Sequence, residues 1–457
     1  MANSIYDRQF DVIVAGGGVS GCAAAVAAAR CGADVLVVEQ GGYLGGTLTS
    51  CGVGPMMTFH AGEKQVIRGF MQEVVDALVN RGYSPGHVPD TKQYTDTVTP
   101  FNAEGLKLVL DELLTSAGAT LLFHSFIGAV NREGDRLTGL TVCNKDGLNS
   151  IKAKVIIDAT GDGDIAAWAG AVMTRGRPED GAAQPMTMKM KYCNVNTKVL
   201  KAHVLMNLED FPQMREHADL LRRDIPMDLE GFSGEVAQAK AAGELEMARE
   251  NILMFATDRE GEYILNTTRI IEHDATSAAS LSDAELVGRR QCDQLDRFMR
   301  KYVPGFKNAL LEFTGPSVGV RGSRQLVGRY TLTAADILAC RRFDSVIAHS
   351  GYPIDIHNPK GEGTTSTFLN ERGSYYDIPL EVMICEEIAN LVVTGRCCSA
   401  TFEAQASLRL SPSAGAMGQA AGVAAAQAAS KGGDVSGVDV AAVQAALREQ
   451  GAYLEVR

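Results

Sequence analysis

Residues 11–39 read DVIVAGGGVSGCAAAVAAARCGADVLVVE, and this stretch decides the fold. A short apolar run is followed by three glycines, an alanine-rich segment to Arg30, Gly32, and a second apolar run from Asp34 to Glu39. Short apolar runs bounded by glycine read as buried strands, and the alanine segment between them reads as a helix closed by Gly32. Strand, tight turn, helix and strand make one βαβ unit, whose two strands are parallel. The spacing Gly16-x-Gly18-x-x-Gly21 gives each glycine of the turn a task. The first permits the tight turn, the second lets a pyrophosphate approach the backbone, and the third lets the helix pack closely on the strand. The helix amino terminus then presents unpaired N–H groups and a partial positive charge to phosphate. Glu39 stands at the end of the second strand, where a carboxylate accepts hydrogen bonds from a ribose diol and repels a 2′-phosphate. By itself the pattern points to a dinucleotide without choosing between NAD and FAD.

Composition narrows the class. A chain of 457 residues allows two or three domains at roughly 150 residues each, and 46% hydrophobic residues suffice for sizeable cores. Acidic residues (55) outnumber basic ones (43), and the net charge of -12 repels phosphate backbones and anionic membranes, so nucleic acid is excluded as a partner. No apolar run is long enough to span a bilayer. The first residues lack a basic region ahead of an apolar one, so no export signal is expected and the location expected is cytoplasmic. The ten cysteines contain no C-x-x-C pair, so reduced thiols are expected and no metal site is.

Further along, helices are expected within residues 62–81 and 102–116 and a strand at 120–124. Turns at Glu133-Gly134 and Asp146-Gly147 suggest an antiparallel meander, and Val155–Asp158 reads as another buried strand. Leu391–Thr394 reads as a strand, and Ala414–Ala429 as an Ala/Gly helix. Between 181 and 315 the composition changes and helical patterns dominate. The fold class expected is α/β: a Rossmann-like, doubly wound dinucleotide-binding domain with a small antiparallel meander, plus an α-rich (α+β) substrate domain. The first would be discontinuous (1–180 and 316–457) and the second inserted (181–315). Met186, Met188 and Met190 alternate with polar residues at strand spacing and read as core.

Several motifs recur in order: G-G-G-x-S-G (16–21), E-x-x-x-x-L-G-G-T (39–47), I-D-A-T-G-D-G-D (157–164), G-V-R-x-S-R-x-x-x-G-x-Y (319–330), G-R-x-x-S-A-T (395–401) and G-Q-A-A-G-x-A-A-A (418–426). The set resembles the FAD-dependent oxidoreductase family, part of the glutathione-reductase-like flavoprotein superfamily and distantly related to fumarate reductase flavoprotein subunits. The resemblance implies FAD, bound non-covalently. It implies that Gly16, Gly18, Ser20 and Gly21 hold the pyrophosphate, Glu39 with Gln40 the adenosine ribose, and Phe126 or Ile127 the adenine through the backbone. Gly45, Gly46 and Thr47 would line the path to the isoalloxazine. Ala159, Thr160, Gly161 and Asp162 would flank the ribityl–pyrophosphate region, with Gly395, Arg396, Gly415 and Met417 near the ring. A second G-x-G-x-x-G and a C-x-x-x-x-C are absent, so no separate NADH domain is expected. Cys51 and His60 follow the entry loop and are candidates for a covalent flavin link. Cys397 and Cys398 read as ordinary thiols.

On the substrate side, His357 suits a general base, with Tyr352 and His349 as substitutes. Arg321, Arg324 or Arg409 can clamp a carboxylate or support charge on the reduced flavin. The alternative is that these arginines pair with internal carboxylates such as Asp355 or Glu403, and that His357 is a satisfied buried histidine. The function implied is an FAD-dependent dehydrogenase, oxidase or reductase moving a hydride between a small polar organic substrate and flavin N5. An electron-carrier partner and a homo-oligomer are compatible with it. An electron-transfer subunit, a flavin monooxygenase and a non-catalytic FAD-binding protein are the alternatives.

Overall fold

The computed structural model describes residues 4–215, 218–223 and 225–456. Strand β1 (Gln9–Ala15), helix α1 (Val19–Arg30) and strand β2 (Val35–Val38) form the expected unit, with β1 and β2 parallel in the register Val12↔Val35 to Ala15↔Val38. Helices α2 (Phe70–Asn80) and α3 (Ala103–Ser116) follow, then β3 (Thr120–Leu122), β4 (Phe126–Glu133), β5 (Arg136–Asn144) and β6 (Gly147–Asp158). They build a seven-stranded sheet in the order β3-β2-β1-β6-β5-β4, in which the strand Leu391–Val393 also pairs with β6. Strand β6 joins two styles of sheet. Its first half pairs antiparallel with β5 from Gly147↔Asn144, and its last residues pair parallel with Leu391–Val393. The meander turns fall at Gly134 and Gly147, both at positive φ.

Alternate residues of the central strands serve two cores, as a pleat requires. Val12, Val14, Val35, Val37, Val155 and Ile157 face a layer of helices, while Ile13, Ala15, Leu36, Val38 and Ile156 face the opposite side. In the helix layer α1 lies against the long carboxyl-terminal helix, Ser411–Ser430. Residues Cys22 to Ala28 of α1 are all buried, and their small side chains let it fit between the sheet and that second helix.

The segment read as α-rich (α+β) carries, beside its helices, a five-stranded antiparallel sheet. Its strands are β7 (Met190–Cys193), β8 (Leu229–Gly231), β9 (Ile252–Ala256), β10 (Tyr263–Leu265) and β11 (Leu310–Thr314), in the order β8-β9-β10-β7-β11. The 25-residue helix α4 (Ala278–Tyr302) packs Ala284, Cys292, Leu295, Phe298 and Met299 into the core beneath it. Met186, Met188 and Met190 point into the same core. Thr187 and Lys189 therefore face the other way. Among the described residues no helix is long and apolar enough to cross a membrane.

Candidate active site

The turn after β1 is held by backbone contacts that leave no room for side chains. Gly16 adopts φ +102°, and a Cβ there would lie 2.7 Å from Ala159 O; a Cβ on Gly21 would lie 2.0 Å from Gly16 O. At Gly18 a Cβ would find only Gly46 Cα, at 3.9 Å, so Gly18 fronts open space. Glu39 closes the other side. Its carboxylate accepts from Gly17 N at 2.7 Å and from Gly41 N at 2.6 Å. Ser20 Oγ and Thr394 Oγ1, 2.9 Å apart, tie α1 to the end of the strand Leu391–Val393.

The segment after β6 is folded around the fully buried Asp158, which accepts from Thr160 N, Thr160 Oγ1 and Ala166 N. Burial pushes its carboxyl up, against those hydrogen bonds. Asp162 then accepts from Arg396 Nη2 at 2.8 Å and from Ser323 Oγ at 2.5 Å. Arg324 donates to Asp164 at 2.8 Å and to Asp162 O at 3.3 Å. It braces this turn and does not line the cavity below.

These pieces border one cavity of about 970 Å3. Gly16, Gly18, Ser20, Glu39, Gln40, Gly46, Thr47, Phe126, Ile127, Ala159, Thr160, Gly161, Asp162, Gly395 and Arg396 all line it, as do Arg321, Tyr352 and His357. Gly21 and Gly45 stand behind the wall: Gly21 in the first turn of α1, and Gly45 donating its N–H to Gly17 O at 2.9 Å. Gly415 and Met417 do not line it either. Gly415 faces Met71, and the fully buried Met417 lies against Cys398 Sγ. The helix carrying them meets the cavity at its amino-terminal residues, Ser411 and Ala414. His349 is buried elsewhere, its Nδ1 2.8 Å from Asp377, and His60 turns to Thr97 at 2.9 Å. All ten cysteines are free. Among the described residues no group of three or more His, Cys, Asp or Glu is placed to hold a metal.

Asp355 is the hub of the far end. Its Oδ2 lies 3.4 Å from His357 Nε2 and 3.5 Å from both Tyr352 Oη and Arg409 Nη2. Burial works against its charge, but His357 and the guanidiniums of Arg409 and Arg321 outweigh it and hold the carboxyl below the usual range. Burial, reinforced by the Arg321 charge, pushes His357 down to about 3, so the imidazole is neutral near pH 7. With Nε2–H turned to the carboxylate, Nδ1 carries the lone pair and accepts from Thr364 Oγ1 at 3.1 Å. Among the described residues Arg321 makes no carboxylate pair, and it donates to Pro185 O at 2.5 Å and Asn266 Oδ1 at 3.3 Å.

Of the lining residues that escaped the sequence reading, three stand out. Lys189, only 5% exposed, sits among Arg321, Arg249 and Arg409; burial first, and then these charges, push its amine well below the usual range. The alternation with Met188 and Met190 already set it apart from the core face. Arg249, from an irregular segment, carried no such signal. Trp168, the single tryptophan, also lines the cavity and is 47% exposed.

The cavity fits FAD. Gly18 leaves space for a pyrophosphate beside the α1 amino terminus, Glu39 lines the cavity at the end of β2, and Arg396 Nε is buried with no hydrogen-bond partner among the described residues. Comparison with known proteins agrees. The model for FAD-dependent oxidoreductases matches residues 11–447. The chain is 30% identical over 165 residues to the probable electron transfer flavoprotein-quinone oxidoreductase YdiS of Escherichia coli (strain K12), covering 34% of this chain and 37% of that one. It is 27% identical over 159 residues to the digeranylgeranylglycerophospholipid reductase 2 of Methanopyrus kandleri, covering 34% of this chain and 38% of that one. The chain thus spans little more than a third of these curated relatives. Among solved structures, the L-proline dehydrogenase from P. horikoshii aligns at 13% identity over 98% of this chain and 100% of its own, with a TM-score of 0.45. With its family pattern matched from Asp11 to Leu447, the chain belongs to the FAD-dependent oxidoreductase family and is an enzyme of that class.

Proposed function

We propose that the enzyme is a dehydrogenase or reductase that moves a hydride between a small polar organic substrate and flavin N5. The observation that carries this reading is the meeting of Tyr352, Asp355, His357 and Arg409 in the same cavity as the glycine turn. Bound FAD supplies a two-electron acceptor that the side chains lack. The cofactor would be held by the turn 16–21, Glu39, residues 159–162 and Arg396, with the segment 181–315 capping the substrate. Binding is non-covalent in this reading, because His60 is engaged with Thr97 and the Cys51 thiol with Val318 O. A cytoplasmic location fits the free thiols, and the partial likeness to the YdiS protein supports an electron carrier as the acceptor.

Each residue has a task. Asp355 orients the imidazole, and His357 Nδ1 takes the proton of a substrate hydroxyl or amine that displaces Thr364 Oγ1. Arg409 and Arg321 orient an anionic part of the substrate, and Tyr352 donates to it or to Asp355. Because His357 stays unprotonated far below its ordinary range, it imposes no acid limb near pH 6.5 on kcat/KM of the free enzyme. Its own limb lies near pH 3. His357→Gln should lower kcat by about 100-fold or more, with FAD content unchanged. Full turnover by His357→Gln on an identified substrate would remove His357 from this role.

A further inference from the structure

We propose that the chamber beyond the flavin cleft is built for a small organic dianion, with Lys189 and Arg321 as its two charge partners. The proposal rests on the reading above, deepening it to a substrate class. Besides Arg396, which pairs with Asp162, five cations line the cavity: Lys92, whose Nζ lies over the Phe255 ring at 4.8 Å, Lys189, Arg249, Arg321 and Arg409. Two are already compensated: Arg249 pairs with Glu230 at 3.1 Å and Arg409 with Asp355 at 3.5 Å. Among the described residues, Lys189 Nζ and the Arg321 guanidinium have no carboxylate within ion-pair distance. Arg321 spends donors on a carbonyl and an amide oxygen.

Uncompensated charge in an enclosed site costs several kcal/mol in lost hydration, which is why the Lys189 amine and the Arg321 guanidinium are both held below their usual ranges, and an anion arriving from outside would offset that cost. Thr187 gives an independent indication. It lines the cavity with Lys189 two residues on, is 2% exposed, and its Oγ1 has no hydrogen-bond partner among the described residues. A neutral hydroxyl and two cations thus line the same cavity, a set that a ligand with charge at two points satisfies. Thr187 bonds to the backbone of Gly319 and Lys189 lies beside Gly52, residues outside the turn 16–21 where the pyrophosphate belongs.

The test is calorimetric titration of the FAD-loaded protein with malonate, succinate and glutarate, each against its monoamide, which keeps the shape and removes one charge. Glycerol 3-phosphate is a separate arm. The best dicarboxylate, or the phosphate ester, should bind at least about tenfold more tightly than the monoanions. Lys189→Met and Arg321→Met should each erase that preference, and Lys189→Arg should keep it. If either Met variant misfolds, the wild-type preference and the Lys189→Arg variant still decide. Equal binding of di- and monoanions, or a preference that survives both Met substitutions, overturns the proposal. FAD loading is read separately from absorbance near 450 nm. A protein without FAD would sink the proposed function while the anion titration still reported on this chamber.

Discussion

Gly21→Ala is expected to give a protein that retains no FAD on purification. The added methyl carbon would stand 2.0 Å from Gly16 O and 3.3 Å from Ala159 Cβ, both fixed parts of the β1 and β6 ends. The helix must then move off the turn. Overpacking of this kind costs about 1–3 kcal/mol of stability, and it withdraws the α1 amino terminus from the phosphate position. FAD affinity should fall on the order of a hundredfold, about 3 kcal/mol. Gly18→Ala is the contrasting case. Its methyl meets only Gly46 Cα at 3.9 Å, so the apoprotein should melt at the wild-type temperature. Yet that methyl stands where the pyrophosphate must approach, and FAD affinity should still drop at least tenfold. Thermal melts of the apoproteins and FAD titrations separate the two. A Gly18→Ala protein that binds FAD like the wild type would place the pyrophosphate elsewhere.

The second large effect is expected at Glu39. Its two oxygens hold the N–H groups of Gly17 and Gly41, so it shapes the glycine turn beside the place proposed for the ribose. Glu39→Ala leaves one buried donor (Gly17) and one half-buried donor (Gly41) without acceptors, about 1 kcal/mol each. It should lower both the melting temperature and FAD affinity, the latter by about tenfold or more. Glu39→Gln keeps one oxygen acceptor and should recover part of the stability. Unchanged FAD affinity in Glu39→Ala would refute the ribose assignment.

The parts of this molecule that were legible in its sequence are those whose determinants lie close together along the chain. The βαβ unit is one, because apolar run, glycine turn and alanine helix fall within 11–39 and leave no competing arrangement. The meander is another, its turns marked by Gly134 and Gly147. The second sheet was not legible. Strands β8, β9 and β10 are three to five residues long, and an all-buried run such as Ile252–Ala256 carries no period that separates it from helix. The helical pattern held where it was long, over Ala278–Tyr302.

The site divides along the same line. Residues in motifs that follow strands, such as Glu39, Gly161 and Gly395, line the cavity. Gly415 and Met417 follow from position on a helix, and helix position without the crossing geometry does not say which face meets the cavity; here it is the first turn. Arg324 illustrates a second limit. Arginines of one motif diverge when one finds a nearby carboxylate, and Asp164 is its partner. Lys189 was half legible, since its alternation with buried methionines fixes its face but not what that face borders.

The central claim is that one continuous cleft, from Trp168 and Glu39 to His357, holds a dinucleotide flavin. Its most direct test is titration of the apoprotein with FAD and with FMN, following the emission of Trp168, the single tryptophan. FAD should quench that emission to an end point of one per chain. FMN, lacking the adenosine half that Glu39 and the glycine turn engage, should bind at least about a hundredfold more weakly. FMN binding as tight as FAD, or FAD binding with Trp168 emission unchanged, would contradict the assignment of this cleft.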